Sequence, residues 1–331
     1  MTEILKTVAG QERSWRFGAP WRVSDKSLVA VMPILHDVAA DRGYRLLSEA
    51  AKDVAVHDTG NISAVTFDNK GGTPVFIRVG EMVAGGTQTR VIVTSSVLFP
   101  GSKLNLEVRC GYASRGIARG AEFREFGTVS SRAVKGRLME RRGRMDQVEL
   151  WDRAADSVQF VRRQLDERVA DSDAPNARTE ATPDRCVPSA RYERYSHDDL
   201  ESHVRASEET LDRLFEKMPA APTQTGLSLL SLDGCDYLEF FDHADSWRTA
   251  RKAVLASEAE LATRFSKEGV FQFNPEFAVA ATRDVLLRDY TETELHDDGY
   301  RLLKLDSKDY TGEVVEIGKS AIHVAIARKT N

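Results

Sequence analysis

The stretch from Pro74 to Gly116 constrains the fold most, because strand-like alternation and glycine punctuation are concentrated there. Residues 74–79 carry valine or isoleucine at every second position, as a strand does when one face is buried. Glycines interrupt the run between 80 and 86 before a second apolar stretch begins at Arg90. The pattern predicts two β-strands that flank a glycine-rich turn, and we expect a binding site at this turn.

Short strands dominate the rest of the first half, which has one short predicted helix, and long stretches of helical spacing begin after Gly116. The predicted strands are 15–23, 28–35, 54–57, 62–67, 74–79, 90–98, 103–109, 227–232, 237–241, 300–305, 312–317 and 321–328. The predicted helices are 44–52, 131–170, 196–218, one that begins at Asp245 or Ser246, and one from Pro275 to about Tyr290. The fold class is therefore predicted to be α+β. Its N-terminal half is mostly antiparallel β, sandwich-like or a curled sheet, with long helices and a further C-terminal β segment packed on it.

Strands at both ends of the chain predict one interlocked α+β domain over residues 1–331. The last strand, 321–328, alternates well and needs a neighbouring strand with which to pair. Residues 171–195 contain three prolines, many polar residues and almost no large apolar side chains. We expect this segment to be a flexible loop or an insertion within the domain.

The composition excludes several classes of protein. With 41% hydrophobic and 29% charged residues the chain is typical of a soluble globular protein, and no apolar run is long enough for a membrane span. The three cysteines, Cys110, Cys186 and Cys235, are far apart, which argues against a disulfide framework and paired-cysteine zinc sites. The glycines at 80–86 match neither the phosphate loop of NTPases nor the dinucleotide fingerprint. We expect a cytoplasmic protein with no metal, no cofactor and no membrane partner.

Charge is unevenly distributed along the chain. The net charge is −5, yet residues 109–144 contain ten lysines or arginines against three glutamates. This basic segment either steers an anionic ligand toward the protein or lies on solvated loop and helix faces. It has no aromatic interleaving of the kind that binds single strands, so we do not expect a nucleic acid partner.

Three polar residues of the turn are candidates for function. Gln88 and Arg90 are two apart, so on a regular strand they share a face, where an amide and a guanidinium suit a planar or anionic group. Glu81 is a candidate catalytic residue, as a general acid or base. The alternatives are that Arg90 forms an internal salt bridge and that Glu81 is a surface residue or accepts hydrogen bonds from the turn.

Five histidines have an aspartate as a neighbour, but consecutive residues point in different directions and cannot chelate one metal ion as they stand. The run Asp242-His243-Ala244-Asp245 precedes a predicted helix, and we expect Asp245 or Ser246 to cap that helix. The five histidines are His36, His57, His197, His243 and His296.

Several segments, in order, resemble a domain family named for its association with ADP-ribosylglycohydrolases and rhodanese-phosphatases. The most specific block is Gly80-Glu81, followed by the glycines and by Gln88-Thr89-Arg90. The other segments are Val31–Asp37, Tyr44–Ala50, Gln147–Trp151 and Leu227–Trp247. The resemblance spans nearly the whole chain and implies an α+β domain linked to ADP-ribose or NAD-derived chemistry.

A second block of the resemblance places another arginine near the turn. The family's Cys-Val-Glu-x-Gly-Arg-Trp is replaced here by the run from Cys110 to Gly116. Cys110 and Arg115 match it, while Tyr112 and Gly116 replace the acidic residue and the tryptophan. By this resemblance Arg115 joins the two ligand-binding candidates of the turn.

Two functions fit these observations. In the first, the protein binds or processes a small anionic nucleotide-type metabolite, such as ADP-ribose or an NAD-derived compound, in a cleft lined by Glu81, Gln88, Arg90 and Arg115. In the second, it is a non-catalytic interaction or scaffold domain whose basic segment docks an acidic partner. The sequence leaves open the oligomeric state and whether the chain is an enzyme.

Overall fold

The computed structural model contains three sheets, whose strands are mostly antiparallel, and six α-helices in the part of the chain that it describes. The described residues are 2–37, 41–85, 88–111, 119–141, 146–172, 215–219, 221–264, 273–297 and 299–329. The strands are β1 (Trp15–Phe17), β2 (Ala30–His36), β3 (Arg45–Leu46), β4 (Val54–Asp58), β5 (Ala64–Asn69), β6 (Val75–Ile77), β7 (Glu81–Ala84), β8 (Arg90–Ile92), β9 (Ser96–Leu98), β10 (Lys103–Cys110), β11 (Glu122–Phe123), β12 (Glu125–Val129), β13 (Gln224–Ser231), β14 (Gly234–Phe241), β15 (Thr291–Asp297), β16 (Tyr300–Asp306), β17 (Tyr310–Ile317) and β18 (Ser320–Arg328). The helices are α1 (Glu3–Gly10), α2 (Arg132–Arg141), α3 (Gln147–Ser172), α4 (Ala244–Ser257), α5 (Ala259–Ala262) and α6 (Pro275–Leu287).

The largest sheet joins strands from both ends of the chain. Its eight strands lie in the order β1-β2-β13-β14-β18-β17-β16-β15, and every neighbouring pair is antiparallel. A seven-stranded sheet has the order β11-β4-β5-β10-β8-β7-β12, and a three-stranded sheet has the order β3-β6-β9. The α+β class and the mostly antiparallel first half that the sequence predicts are confirmed.

The central strands of the eight-stranded sheet are buried on both faces, and successive residues of each strand pack into opposite cores. On one face, Leu238 and Val324 pack with side chains of α1 and α6. On the other, Tyr237 and Val315 belong to a core that also includes residues of α2, α4 and the smaller sheets. The two smaller sheets enclose a third cluster around residues such as Phe67. Any polar side chain on an inner face of these strands is therefore held inside the protein.

Several segments differ from their predicted structure. Residues 81–84, expected within the glycine-rich turn, form strand β7, and the strand expected at 90–98 is divided into β8 and β9, which belong to different sheets. The helix expected at 44–52 is the short strand β3 followed by a 3₁₀ turn over Leu47–Ala50. Strand β3 pairs in parallel with β6, so tertiary pairing overrides the helix propensity of this segment. The single helix expected at 131–170 is divided into α2 and α3.

Some predictions lie outside the described residues. They include the loop at 171–195, except its first two residues, which end α3, and most of the helix at 196–218. Among the helices that the structure describes, none is both long and apolar enough to cross a membrane.

Candidate functional site

The first part of the predicted glycine-rich turn, residues 80–84, is packed inside the fold, whereas Gly85 is exposed. Gly80 has a φ of +76°, and a Cβ added there would lie 2.9 Å from Ser130 Oγ and 3.1 Å from Lys135 Cγ, so a side chain is both strained and crowded. Glu81 begins β7 and is 1% exposed. Its carboxylate accepts a hydrogen bond from the Arg78 backbone N–H at 3.2 Å and lies 3.9 Å from Arg78 Nε. Burial raises the pKa of Glu81, against the opposing effect of Arg78.

Arg90 is also enclosed and forms an internal ion pair. Its Nη2 lies 3.0 Å from Asp58 Oδ2, and both side chains are fully buried. Its Nη1 donates to Gln88 Oε1 at 2.9 Å and to the thiol of Cys110. Gln88 and Arg90 thus adjoin, as their spacing predicts, but the guanidinium is directed at protein groups. This is the internal salt bridge that the sequence leaves open as an alternative.

The remaining predicted ligand-binding residue, Arg115, lies outside the described residues. The structure therefore brings together Gln88 and Arg90 and places Glu81 in a separate polar cluster.

That cluster lies between the eight-stranded sheet and the layer formed by β7 and α2. The Glu239 carboxylate is 3.0 Å from His323 Nε2, 3.4 Å from Lys135 Nζ and 3.6 Å from Arg78 Nη1. Lys135 Nζ also lies 3.0 Å from Glu258 Oε1. We call these residues, together with Glu81 and Tyr237, the buried ionic cluster.

The two glutamates at its centre have opposite electrostatic environments. Burial alone would raise the pKa of Glu239, but Lys135, His323 and Arg78 outweigh it and hold the pKa below its ordinary value of 4.5. For Glu81, the Arg78 side chain and the hydrogen bonds from the Arg78 and Gly127 backbone N–H groups do not offset burial, so its pKa moves the other way. The contacts of Lys135 and Arg78 with Glu239 join the two layers of the fold. Every member of the cluster is buried, so the cluster is shielded from solvent.

An open cleft of about 970 Å³ lies instead at one end of the eight-stranded sheet. Strands β2 and β14 are both antiparallel to β13, which lies between them, so their C-terminal ends reach the same edge. His36 ends β2 there, and Asp242 and His243 follow β14. We call this the strand-end cleft; its lining includes Trp15, His36, Asp41, Arg42, Tyr44, Asp242, His243, Glu292, Arg301 and Lys319.

His36 is held in one orientation. Its ring stacks on Trp15, with the centroids 3.9 Å apart and the planes within 7° of parallel. Its Nδ1 lies 3.0 Å from the backbone oxygen of Asp242. The second ring nitrogen, Nε2, has no hydrogen bond to any residue that the structure describes.

Asp242 is connected to a chain of hydroxyl groups. Tyr44 Oη donates to Asp242 Oδ1 at 2.7 Å, and Ser246 Oγ donates to Tyr44 Oη at 2.8 Å. Burial raises the pKa of Asp242, although the Tyr44 hydrogen bond and electrostatic interactions with His243 and His36 act against it. Burial also raises the pKa of Tyr44 well above its ordinary range, so its hydroxyl stays protonated and continues to donate.

His243 is the N-cap of α4, where Asp245 or Ser246 was expected. Its Nδ1 accepts a hydrogen bond from the Asp245 backbone N–H at 3.1 Å. The helix begins at Ala244, so Asp245 lies in the first turn, where a carboxylate favours the positive end of the helix dipole. The N-terminus of α4 is therefore directed toward the strand-end cleft.

Most charged side chains at the rim of the cleft already have partners. The pairs are Arg13–Glu3 at 2.8 Å, Arg42–Glu49 at 2.7 Å and Arg301–Glu294 at 2.7 Å. Lys319 and Asp41 form no ion pair with any residue in the described part of the chain. The groups available to a ligand are thus a few hydrogen-bonding side chains, one lysine and the end of a helix.

Sequence reasoning missed the cleft residues His36, Tyr44, Asp242 and His243 as a group. Along the sequence, each Asp is considered with its neighbouring His as a pair, and no such pair can chelate a metal ion. The signal that could have found the cleft is topological, since His36-Asp37 and Asp242-His243 each directly follow a predicted strand. Among the described residues, no group of three His, Cys, Asp or Glu side chains is arranged to hold a metal ion.

Comparison with known proteins gives one match. The family model of the ARG and Rhodanese-Phosphatase-superfamily-associated Protein domain matches residues 14–327, which confirms the resemblance seen in the sequence. No curated protein and no solved structure matches the chain.

Proposed function

The chain belongs to the ARG and Rhodanese-Phosphatase-superfamily-associated Protein domain family, and from this premise we propose that it binds a small nucleotide-type metabolite, with ADP-ribose as the first candidate, in the strand-end cleft. The convergence of separate parts of the chain carries the proposal. His36 lies in one segment of the family resemblance, Tyr44 begins the next, and Asp242 lies in a third. All three line one open cleft.

The size and chemistry of the cleft suit such a ligand. Its volume of about 970 Å³ is close to the upper end of the range of roughly 300–1,000 Å³ for small-molecule sites. Asp41 and Asp242 can accept hydrogen bonds from ribose hydroxyls, as acidic residues do in dinucleotide sites. Lys319 and the N-terminus of α4 offer positive potential to a phosphate group.

The cleft supports this role better than the glycine-rich turn does. The Arg90 guanidinium is fully buried against Asp58, and Glu81 is 1% exposed. A ligand at the turn would have to break a buried ion pair, which typically costs about 3–5 kcal/mol.

The alternative, a scaffold that docks an acidic partner through the basic segment, gains no specific support. Each described lysine or arginine of residues 109–144 except Arg119 has an acidic partner within the protein. These residues are Arg109, Arg124, Arg132, Lys135, Arg137 and Arg141. Each of these charges therefore has a carboxylate of the same chain beside it, at the surface for Arg124 and Arg141 and inside the protein for Arg132 and Lys135. The proposal places the protein in the cytoplasm, where nucleotide metabolites are abundant and the buried thiols of Cys110 and Cys235 stay reduced.

Thermal unfolding in the presence of ADP-ribose, NAD, AMP and inorganic phosphate tests the proposal. A ligand at 100 times its Kd stabilises the native state by about 2.7 kcal/mol, which raises the melting temperature by several degrees. Asp242→Asn should remove the shift that ADP-ribose gives, because the charged acceptor is lost. Asp284→Asn, on α6 away from the cleft, is the matched control and should keep it.

Gln88→Ala separates the two locations. If the ligand binds in the strand-end cleft, this variant still responds to ADP-ribose. A response that Gln88→Ala abolishes and Asp242→Asn retains would move the site back to the turn, and no response to any of the four compounds would overturn the proposed function.

A further inference from the structure

The two histidines of the strand-end cleft carry the ring hydrogen on different nitrogens. A backbone carbonyl can only accept a hydrogen bond, so the contact of His36 Nδ1 with the Asp242 carbonyl requires the hydrogen to be on Nδ1. In the neutral ring, His36 Nε2 then carries a lone pair. A base whose other nitrogen is fixed by the protein is the usual arrangement of a catalytic histidine.

His243 is fixed in the opposite way. A backbone N–H can only donate, so His243 Nδ1 must accept from Asp245, and in the neutral ring the hydrogen is on Nε2. Both rings line the same cleft, and both interact electrostatically with the Asp242 carboxylate. The residues that line the cleft therefore include one ring acceptor, one ring donor and a carboxylate.

We propose that the strand-end cleft hydrolyses an ester of the metabolite that it binds, with His36 as the general base and His243 as a hydrogen-bond donor to the oxyanion. This inference rests on the proposed function, because the ester must first bind in the cleft. It adds a reaction, two catalytic residues and a chemical class of substrate.

The reaction needs only water as a co-reactant. His36 Nε2 takes a proton from a water molecule as the water oxygen bonds to the ester carbonyl carbon, and the carbonyl electrons move to oxygen. His243 Nε2–H donates to this oxyanion, near the positive end of α4. When the oxyanion collapses, the bond to the alcohol oxygen breaks and the His36 imidazolium returns the proton to that oxygen. The products are a carboxylic acid and an alcohol, and His36 is again neutral.

Asp242 and Trp15 are positioning residues for this step. The Asp242 carbonyl fixes the His36 tautomer, and its carboxylate favours the imidazolium that forms. The parallel stack on Trp15 limits rotation of the ring. Tyr44 in turn holds the Asp242 carboxylate.

The charges of the cleft favour an acyl ester over other bonds of a nucleotide. Glycosyl transfer develops positive charge on the sugar, for which a donor to an oxyanion gives no help. Phosphoryl transfer spreads negative charge over several oxygens and is served by cationic clamps. Here the arginines at the rim are paired with glutamates, which leaves Lys319 and one ring donor. One developing oxyanion matches this set.

The test uses the acetyl ester of a ribose hydroxyl of ADP-ribose, with release of acetate measured in the full-length protein. His36→Gln should lower kcat by about 10²–10⁴-fold, the usual contribution of a general base. His243→Asn keeps a side chain that can cap α4 but removes the ring donor, and should lower kcat by about 10²–10³-fold. His57→Gln, on β4 and outside the cleft, is the matched control and should keep the wild-type rate.

Binding measured in parallel separates failure of the reaction from failure of the site. If ADP-ribose raises the melting temperature of the wild type and of His36→Gln, but the wild type releases no acetate, the ester hydrolysis is overturned and the proposed binding stands. Acetate release that His36→Gln leaves unchanged also overturns it. Release of nicotinamide from NAD in place of acetate would assign the cleft to glycosyl transfer.

Discussion

Glu239→Gln, compared with Glu81→Gln, tests our account of the buried ionic cluster. The two substitutions are chemically identical and remove a carboxylate from neighbouring positions inside the same protein. Glu239 is 3% exposed and Glu81 is 1% exposed, so solvent screening does not separate them. The two residues differ in their electrostatic environments, because cationic groups lie close to Glu239 but only at a distance from Glu81.

The expected loss for Glu239→Gln follows from its partners. The carboxylate is within 3.0 Å of His323, 3.4 Å of Lys135 and 3.6 Å of Arg78. Removal of one partner of a buried ion pair costs about 3–5 kcal/mol, because the remaining charge is stranded. Lys135 keeps Glu258 at 3.0 Å, so we expect the low end, about 3 kcal/mol.

Glu81→Gln should be much milder. The amide oxygen can still accept from the Arg78 backbone N–H, and no close cation is left alone. Since burial raises the pKa of Glu81, the ionised carboxylate is unfavourable in the native state at neutral pH. The substitution should therefore change the free energy of unfolding by less than about 1 kcal/mol, or increase it.

The pH dependence has opposite signs for the two residues. A lowered pKa means that Glu239 stabilises the native state above the ordinary value of 4.5 and loses this effect as the pH falls below it. A raised pKa means that Glu81 favours the native state in acid and loses this effect as the pH rises through the raised value. The deficit of Glu239→Gln should shrink in acid, while any gain from Glu81→Gln should appear only above pH 4.5 and grow as the pH rises.

Urea unfolding followed by far-UV circular dichroism gives these free energies, provided that the slope with denaturant is the same for both variants. Measurements at neutral pH and again below pH 4.5 test the sign of each effect. Equal losses for the two variants at neutral pH would refute the reasoning, because burial and not ion pairing would then control the cost.

Three further predictions use simpler measurements. Arg90→Ala should lower the free energy of unfolding by about 3–5 kcal/mol, and a double-mutant cycle with Asp58→Asn should show strong coupling, whereas additive losses would mean that the ion pair contributes little. Trp247→Ala should cost about 3–5 kcal/mol in urea unfolding because the side chain is 2% exposed in the core, and an unchanged midpoint would contradict this packing role. Limited proteolysis should cut first within 171–195 and leave fragments that elute together from a sizing column, while independent elution would indicate two separable domains.

Much of the fold follows from local pattern. The period of two in the strand segments and the terminal strand 321–328 predict antiparallel β structure at both ends of the chain, and β18 occupies an interior position of the largest sheet. The segment 44–52 could not be predicted, because its helix formers yield to pairing between β3 and β6. Such pairing depends on residues distant in sequence, which a local pattern does not report.

The function of charged residues in strands was harder to predict for a related reason. The spacing that predicts Gln88 and Arg90 to lie side by side agrees with their contact, since Arg90 donates to Gln88 at 2.9 Å, although Gln88 lies two residues before β8. Alternation does not reveal whether that face is open to solvent or covered by another layer. Here the face contains Asp58, so a pair of groups suited to an external anion is satisfied internally.

The pairs of adjacent Asp and His residues show how topology changes the meaning of a local motif. Because neighbours along the chain point in different directions, Asp37 pairs with Arg16 at 2.6 Å, while His36 lines the cleft. The partner of His36 is instead the Asp242 carbonyl, which lies 206 positions away in sequence. Two strands separated by an antiparallel neighbour end at the same edge, and this geometry joins one residue from each motif. Polar residues at the ends of such strands are therefore better candidates for a shared site than polar residues within one strand.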